Sequence, residues 1–348
     1  MFTRKIPLLL GLLNPISAFQ PQTLASPKIP SKLPSFVTEF APLVHLYSKD
    51  PYRPSDISAQ LLNTRPYTSN YTPISNPPNP LTLNSLNSLN SYGKVYLTST
   101  LDPTTSPRPP YLYGVSPSPS GETPNATSAT IILVDHGNAT VDVFYMYFYA
   151  FDYGGDYLAR QINVGNHVGD WEHNMLRFVE GKPREMWFSQ HAGGQAFEYS
   201  AVEKFEGGGR PVVYSANGTH ANYAKPGTHD HTIPGVDLPV GLLEDHTDAG
   251  PLWDPTLSAY YYSFDPQTSK FEAYDDDDES TPVAWLYFTG NWGDEKYAKS
   301  DPRQDCPLGV DALCRYSGGP TGPIDKDLDR KNVCPDSQEI CIALPLVL

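Results

Sequence analysis

The sequence predicts a mainly β protein, an antiparallel β-sandwich with long Pro/Ser/Asn-rich loops and few short helices. Three observations carry this. Pro 36 and Gly 26 in 348 residues interrupt helices and gather in turns. Tyr 23, Phe 14 and Trp 5 suit pleated surfaces. The strongest apolar runs, Ile131 to Val134 and Val141 to Phe151, are of strand length and flank turn residues.

Taken in order, the chain opens with Arg4 and Lys5, an apolar stretch from Ile6 to Leu13, and Ser17-Ala18 before Phe19. This reads as a signal peptide over 1–18 and predicts entry into the secretory pathway, with an extracellular or vacuolar destination. No other segment is apolar enough to span a bilayer. A Pro/Ser-rich leader covers 19–35. One principal β-sandwich domain is expected over 36–300, and a C-terminal extension over 301–348. Cys306, Cys314, Cys334 and Cys341 are expected to staple that extension as two disulfides, with three pairings open. Sequons at Asn70, Asn125 and Asn138 mark expected glycan acceptors. The net charge of −15, with 24 scattered Lys and Arg, excludes a nucleic-acid partner.

Phe36 to Tyr47 is expected to be a strand carrying Leu43, His45 and Tyr47 on one face. Ser55 is expected to cap a short helix from Ile57. Segments 63–92 and 103–127 read as long surface loops, and the Leu-Asn-Ser triplets of 83–91 read as a compositional echo. Ile131 to Val134 and Val141 to Phe151 form a hairpin about His136-Gly137-Asn138. The second of these strands is apolar on both faces, so its sheet is covered on both sides. A second hairpin runs out from Trp171 and back over Glu185 to Gln190. Symmetry about Lys182 would set His191 opposite His173, or within diagonal reach of it. Val212 to Ser215 is a strand ending in a polar loop with His220. Ala259 to Phe264 and Val283 to Thr289 are two further strands. The acidic run Asp275 to Glu279 lacks the spacing of a calcium loop and reads as solvated.

The densest stretch is Gly165-Asn166-His167-Val168-Gly169-Asp170-Trp171-Glu172-His173. Strand alternation puts Asp170 and Glu172 on one face, Trp171 and His173 on the other. Carboxylates with one His suit Ca²⁺, Mg²⁺ or Mn²⁺, and Zn²⁺ less well, because thiolates are absent and zinc prefers more His. Asp156 can add a carboxylate from the preceding loop.

The sequence from His167 to His173 resembles the signature of the vacuolar protein sorting-associated protein 62 family of fungi, with its plant relatives. So do Arg210 to Tyr223, Gly290-Asn291-Trp292-Gly293-Asp294, Ser300 to Gln304 and Gly319 to Pro323. This kinship implies a link to vacuolar protein sorting and no particular reaction. Asn217 forms a fourth sequon inside one of these motifs and is expected to be unmodified. A more distant resemblance is to the necrosis-inducing cytolysins, whose heptapeptide Gly-His-Arg-His-Asp-Trp-Glu sits on a β-sandwich. There the first His, the Asp and the Glu help hold a divalent cation beside a sphingolipid headgroup pocket. The matching residues here are His167, Asp170 and Glu172, with Asn166, Val168 and Gly169 as departures.

Two functions follow as expectations. The first is cation-dependent binding of a glycan or lipid headgroup, with Trp171, Asn222 and Tyr223 as ligand-contacting residues. The second is a metal-assisted hydrolase of phosphoester or glycoside bonds, with His173, His191 and His220 as proton-transfer groups. Neither a His-Glu-x-x-His helix nor a Gly-x-Ser-x-Gly elbow is present, so a zincin site and a serine triad have little support. Asp170 and Glu172 as a glycosidase pair would lie on one side of the substrate.

Overall fold

The computed structural model describes residues 29–157, 162–230, 241, 243–274, 281–338 and 340–347. The signal peptide, leader residues 19–28, His231 and the acidic run 275–279 lie outside the described residues.

Twelve strands build two sheets. They are β1 (Leu43–Leu46), β2 (Ala129–Asp135), β3 (Thr140–Asp152), β4 (His167–Val179), β5 (Lys182–Gln190), β6 (Gly193–Glu198), β7 (Val212–Ser215), β8 (Asn222–Tyr223), β9 (Leu252–Trp253), β10 (Ala259–Asp265), β11 (Lys270–Ala273) and β12 (Ala343–Leu344). The large sheet has the order β11-β10-β2-β3-β4-β5-β6-β12 and the small one β8-β7-β1-β9. The centre of the large sheet is antiparallel, as expected. Parallel pairings join β2 to β10, β6 to β12, and β1 to β7.

Strand β3 shows why the large sheet is central. Phe144, Met146 and Phe148 point into one core, and Val143, Tyr145, Tyr147 and Tyr149 into the other. The small sheet covers the second face through Val44, Leu46, Val213 and Trp253. Burying tyrosine requires a partner for each hydroxyl. Tyr145 donates to the Val37 carbonyl (2.7 Å) and Tyr147 to Asn174 Oδ1 (2.9 Å).

The first face is covered by irregular chain, and this corrects the reading of 63–92 as a surface loop. Thr64–Thr68 and Thr72–Pro73 are strands, and Leu86–Tyr92 is a 3₁₀ helix. The Leu-Asn-Ser triplets match the three residues per turn of that helix. They put Leu83, Leu86 and Leu89 into the core. Ser85, Ser88 and Ser91 each donate a hydroxyl to the carbonyl three residues back. The triplets are therefore structural. Ala284–Tyr287, expected as a strand, is also 3₁₀, and it buries Trp285 and Leu286 on the same face. Leu328, Val333 and Cys334 complete that layer.

Smaller corrections are local. The stretch from Phe36 begins as a helical turn, Phe36–Glu39, before β1, and Val44 and Leu46 are the residues that β1 buries most deeply. Asp56 caps the helix Ile57–Asn63 by accepting from the Ala59 amide. Ser55 Oγ instead accepts the Ala150 amide (3.0 Å). The disulfides are Cys306–Cys314 and Cys334–Cys341. Asn70, Asn125 and Asn138 are exposed, whereas Asn217 is half-buried. No helix among the described residues is long and apolar enough to cross a membrane.

Candidate functional site

Strand β4 carries the dense stretch along the edge-ward end of its pairing with β3. Asp152 lies opposite His167, Tyr149 opposite Asp170, and Tyr147 opposite Glu172. The expected alternation holds. Asp170 and Glu172 leave one face, while Trp171 and His173 enter the opposite core.

Backbone contact locates this end of β4. Gly169 has φ +69°, and a Cβ there would lie 2.4 Å from the Trp292 carbonyl oxygen. A Cβ on Gly293 would lie 1.7 Å from the Val168 carbonyl oxygen, and Gly319 packs on Gly293 in turn. The motifs Gly290 to Asp294 and Gly319 to Pro323 thus press directly on the strand that bears the site.

A cavity of about 280 Å³ opens beside them. Asp152, Asp170, Glu172, His167, His191 and Lys326 supply its charged lining. At its wall, Asp152, Asp170 and His220 each offer a ligand-type atom, all within 4.8 Å of one another. His220 arrives from the loop after β7 with φ +55° and stacks on Tyr149 at 3.6 Å. Its Nδ1 donates to Asp170 Oδ2 (2.9 Å), and its buried Nε2 lies 3.6 Å from Asp50 with no hydrogen-bond partner among the described residues. His167 Nδ1 donates to the Gly169 carbonyl (2.6 Å). That leaves Nε2 as the bare nitrogen, 3.8 Å from Asp152 Oδ2.

The electrostatics are unbalanced. Burial and the charges of Asp170 and Glu172 push the Asp152 carboxyl well up. Burial and the Asp170 charge push Glu172 up to about 8. Burial acts on Asp170 too, but the hydrogen bond and charge of His220 outweigh it and hold that carboxyl below its ordinary value. Burial lowers His167. A carboxylate faced by a bare imidazole nitrogen, with two crowded carboxyls beside it, fits a cation between them. The donor set is oxygen with imidazole and no thiolate.

The other predicted residues divide as follows. Asp156 is exposed, and the carboxyl that lines the cavity from this part of the chain is that of Asp152. Glu172 lines the cavity, but its carboxylate is engaged by the Ser189 hydroxyl. His173 does not lie opposite His191. The turn is Glu180-Gly181, and a bulge between Pro183 and Glu185 shifts the register. Phe188 therefore faces Asn174, and the His173 amide donates to Ser189 Oγ (2.9 Å). The His173 ring is buried on the far face, where Nε2 accepts from Arg330 (2.7 Å). Burial and Arg330 hold its pKa well below the ordinary value, so it is not a proton-transfer group of the cavity. His191 does line the cavity, with Nε2 2.6 Å from Asp245. Asp245 also accepts from Thr219 and Tyr223. Tyr223 is thus a support for that pair, and Asn222 is buried behind it near Ser189. Trp171 contributes to the cavity lining, but its ring packs among Phe148, Trp285 and Trp292 and is 1% exposed. Sequence reasoning missed Asp152, Asp50, Asp245 and Lys326. Only Asp152 carried a local signal, ending the aromatic strand three residues before Gly155.

Fold and site together define a mainly β protein with a buried His/carboxylate cavity at one end of its central strand pair. Residues 134–301 match the family model for vacuolar protein sorting-associated protein 62. Saccharomyces cerevisiae TDA6 is 40% identical over 334 residues, covering 88% of this chain and 69% of the relative. Vacuolar protein sorting-associated protein 62 of the same yeast is 34% identical over 330 residues, covering 87% and 68%. The chain belongs to the vacuolar protein sorting-associated protein 62 family. Among solved structures it is similar to necrosis and ethylene inducing protein 2 from the causal agent of cocoa's witches' broom disease. The TM-score is 0.29 with 16% identity, over 62% of this chain and 75% of that one. It is also similar to NLPPya in complex with glucosamine, with TM-score 0.27 and 13% identity over 74% and 87%. Likeness of that size says nothing about the site.

Proposed function

We propose that this chain is a divalent-cation-dependent binding protein for a glycan or glycolipid headgroup, working in the secretory pathway or the vacuole. The convergence of Asp152, Asp170 and His220 within 4.8 Å carries the reading. Glu172 and His167 flank that set, and Ca²⁺, Mg²⁺ or Mn²⁺ matches its hard oxygens. The bound cation supplies a Lewis-acidic anchor for a ligand oxygen. The protein supplies the rest. Tyr157, Val164 and Leu243 form an apolar patch on the cavity wall, and Thr219 and Ser317 line it with hydroxyls. At about 280 Å³ the cavity falls just below the ~300–1,000 Å³ of drug-sized pockets, which suits one headgroup ring. The vacuolar setting follows the names of the yeast relatives. CaCl₂ or MgCl₂ is expected to raise the thermal midpoint of the purified protein, and Asp170→Ala to abolish that rise. No rise in the unaltered protein would sink the proposal.

One observation favours a second reading. His191, oriented by Asp245 at 2.6 Å, faces the same cavity as the cation set and is suited to move a proton. Metal-dependent turnover of a nitrophenyl phosphoester, lost in His191→Gln with the cation-induced thermal rise retained, would favour a hydrolase over a binding protein.

A further inference from the structure

Lys326 is a feature of the cavity that cation binding leaves unexplained. It lines the same wall as Asp152, Asp170 and Glu172. Its charge reaches Asp170, Glu172 and His167. Yet its ammonium makes no hydrogen bond or ion pair of 4 Å or less among the described residues. A lysine drawn to carboxylates would ordinarily close on one of them.

The chain around it explains the separation. Lys326 ends the turn Pro323–Asp325, where its amide donates to the Pro323 carbonyl (3.1 Å). Its own carbonyl accepts from Arg330 Nη2 (2.8 Å). Arg330 is 2% exposed and is held through the sheet's other face, by His173 and by the Asp327 and Val333 carbonyls. The backbone that carries Lys326 is therefore anchored on the side of β4 opposite the cavity.

A divalent cation held by Asp152 and Asp170 neutralises both, and Glu172 is engaged by the Ser189 hydroxyl. The ammonium of Lys326, with no carboxylate within 4 Å among the described residues, is left able to meet an anion in the same cavity, and a phosphate suits that place. Hard divalent ions complete their shells with substrate phosphate oxygens, and lysine meets phosphate as a point charge.

We propose that the ligand of this cavity carries a phosphate group, bound between the cation and Lys326, and that Lys326 is the residue that selects for it. This rests on the cation-dependent reading above. The phosphate can belong to a soluble sugar phosphate or to a phospholipid headgroup.

The test uses the full chain with MgCl₂ present. Calorimetry compares glucose 6-phosphate with glucose, and flotation compares phosphatidylinositol in vesicles of the phosphate-free betaine lipid diacylglyceryl-trimethylhomoserine with that betaine lipid alone. The phosphorylated probe of at least one pair is expected to bind about tenfold or more tighter, the size of a charge-assisted contact. A preference in calorimetry alone marks a soluble ligand, and one in flotation alone marks a lipid. Lys326→Gln is expected to erase the preference and Lys326→Arg to keep most of it. Both variants should retain the Mg²⁺-induced thermal rise, which shows them folded and loaded. Equal binding within both pairs, or a preference that survives in Lys326→Gln, overturns this inference. If the thermal rise persists in that case, the cation reading stands. If the unaltered protein shows no thermal rise, both fall.

Discussion

The two ends of the β3–β4 pair present the same chemical problem and resolve it differently. At the hairpin end, Asp142 is fully buried opposite Arg177. The guanidinium grips both carboxylate oxygens, at 2.8 and 2.7 Å, and His136 adds a contact at 2.8 Å. Arg177 also donates to the Arg330 and Lys331 carbonyls. Anion and cations balance there, so that end holds the fold together. At the other end Asp152, Asp170 and Glu172 are nearly as buried, yet imidazoles are the nearest partners of the two aspartates, a serine hydroxyl holds Glu172, and Lys326 stands off. Burial without compensation costs stability, and that is the difference the proposed cation would remove.

The contrast breaks most visibly at the balanced end. Asp142→Ala leaves Arg177 without its buried partner and is expected to cost about 3–5 kcal/mol in denaturant melts. That loss should be the same with or without divalent cation. A loss that cation restores would mean the two ends are not separate.

The unbalanced end should declare itself through pH. The folded Glu172 carboxyl is raised from 4.5 to about 8, so between these values the folded state holds more protons than the unfolded one. Stability without cation should then fall as pH rises through that window. Glu172→Gln should flatten this fall and leave the variant more stable than the parent at the alkaline end. A parent protein whose stability climbs through the window would refute the assignment. Cation competes with the protons, so the midpoint rise it produces should grow with pH.

The smallest effect is expected at His136. Its hydrogen bond to Asp142 raises its pKa despite partial burial, with the Asp142 charge adding, Asp329 nearby and Arg177 opposing. The stabilisation is fully present below 6.5 and is lost as pH rises through the folded value. His136→Gln should therefore cost under about 1 kcal/mol in mild acid and nothing measurable in alkali. An equal cost at both extremes would show that packing, not charge, is what His136 contributes.

The elements legible in the sequence are those whose pattern is local. Val141 to Phe151 announces a strand buried on both faces because both its odd and even positions are apolar, and the structure gives it two cores. The faces of Asp170 and Trp171 follow from strict alternation. What escaped depends on distance or on a single inserted residue. The turn falls at Glu180-Gly181 instead of about Lys182, and with the one-residue bulge after Pro183, which leaves no mark in composition, this sets Ser189 rather than His191 beside His173. Asp245, the partner of His191, and Lys326 reach the site from chain 75 to more than 150 residues beyond Asp170, and nothing local predicts that convergence. The Leu-Asn-Ser triplets were legible in principle. Period three belongs to the 3₁₀ helix, a form too seldom this long to be expected.

The glycine contacts around Gly169 carry a consequence for moving this site elsewhere. Where Gly169, Gly293 and Gly319 meet, main chain rests on main chain. Apart from Gln60, whose amide donates to the Trp292 carbonyl (2.8 Å), the spacing between the three segments is set by backbone on backbone. A designer who copied His167 to His173 alone onto another sheet would carry over the side chains without the surfaces that space them. The transferable unit is three strips of chain, 165–173, 290–294 and 318–322, grafted together and with Asp152 and His220 placed beside them.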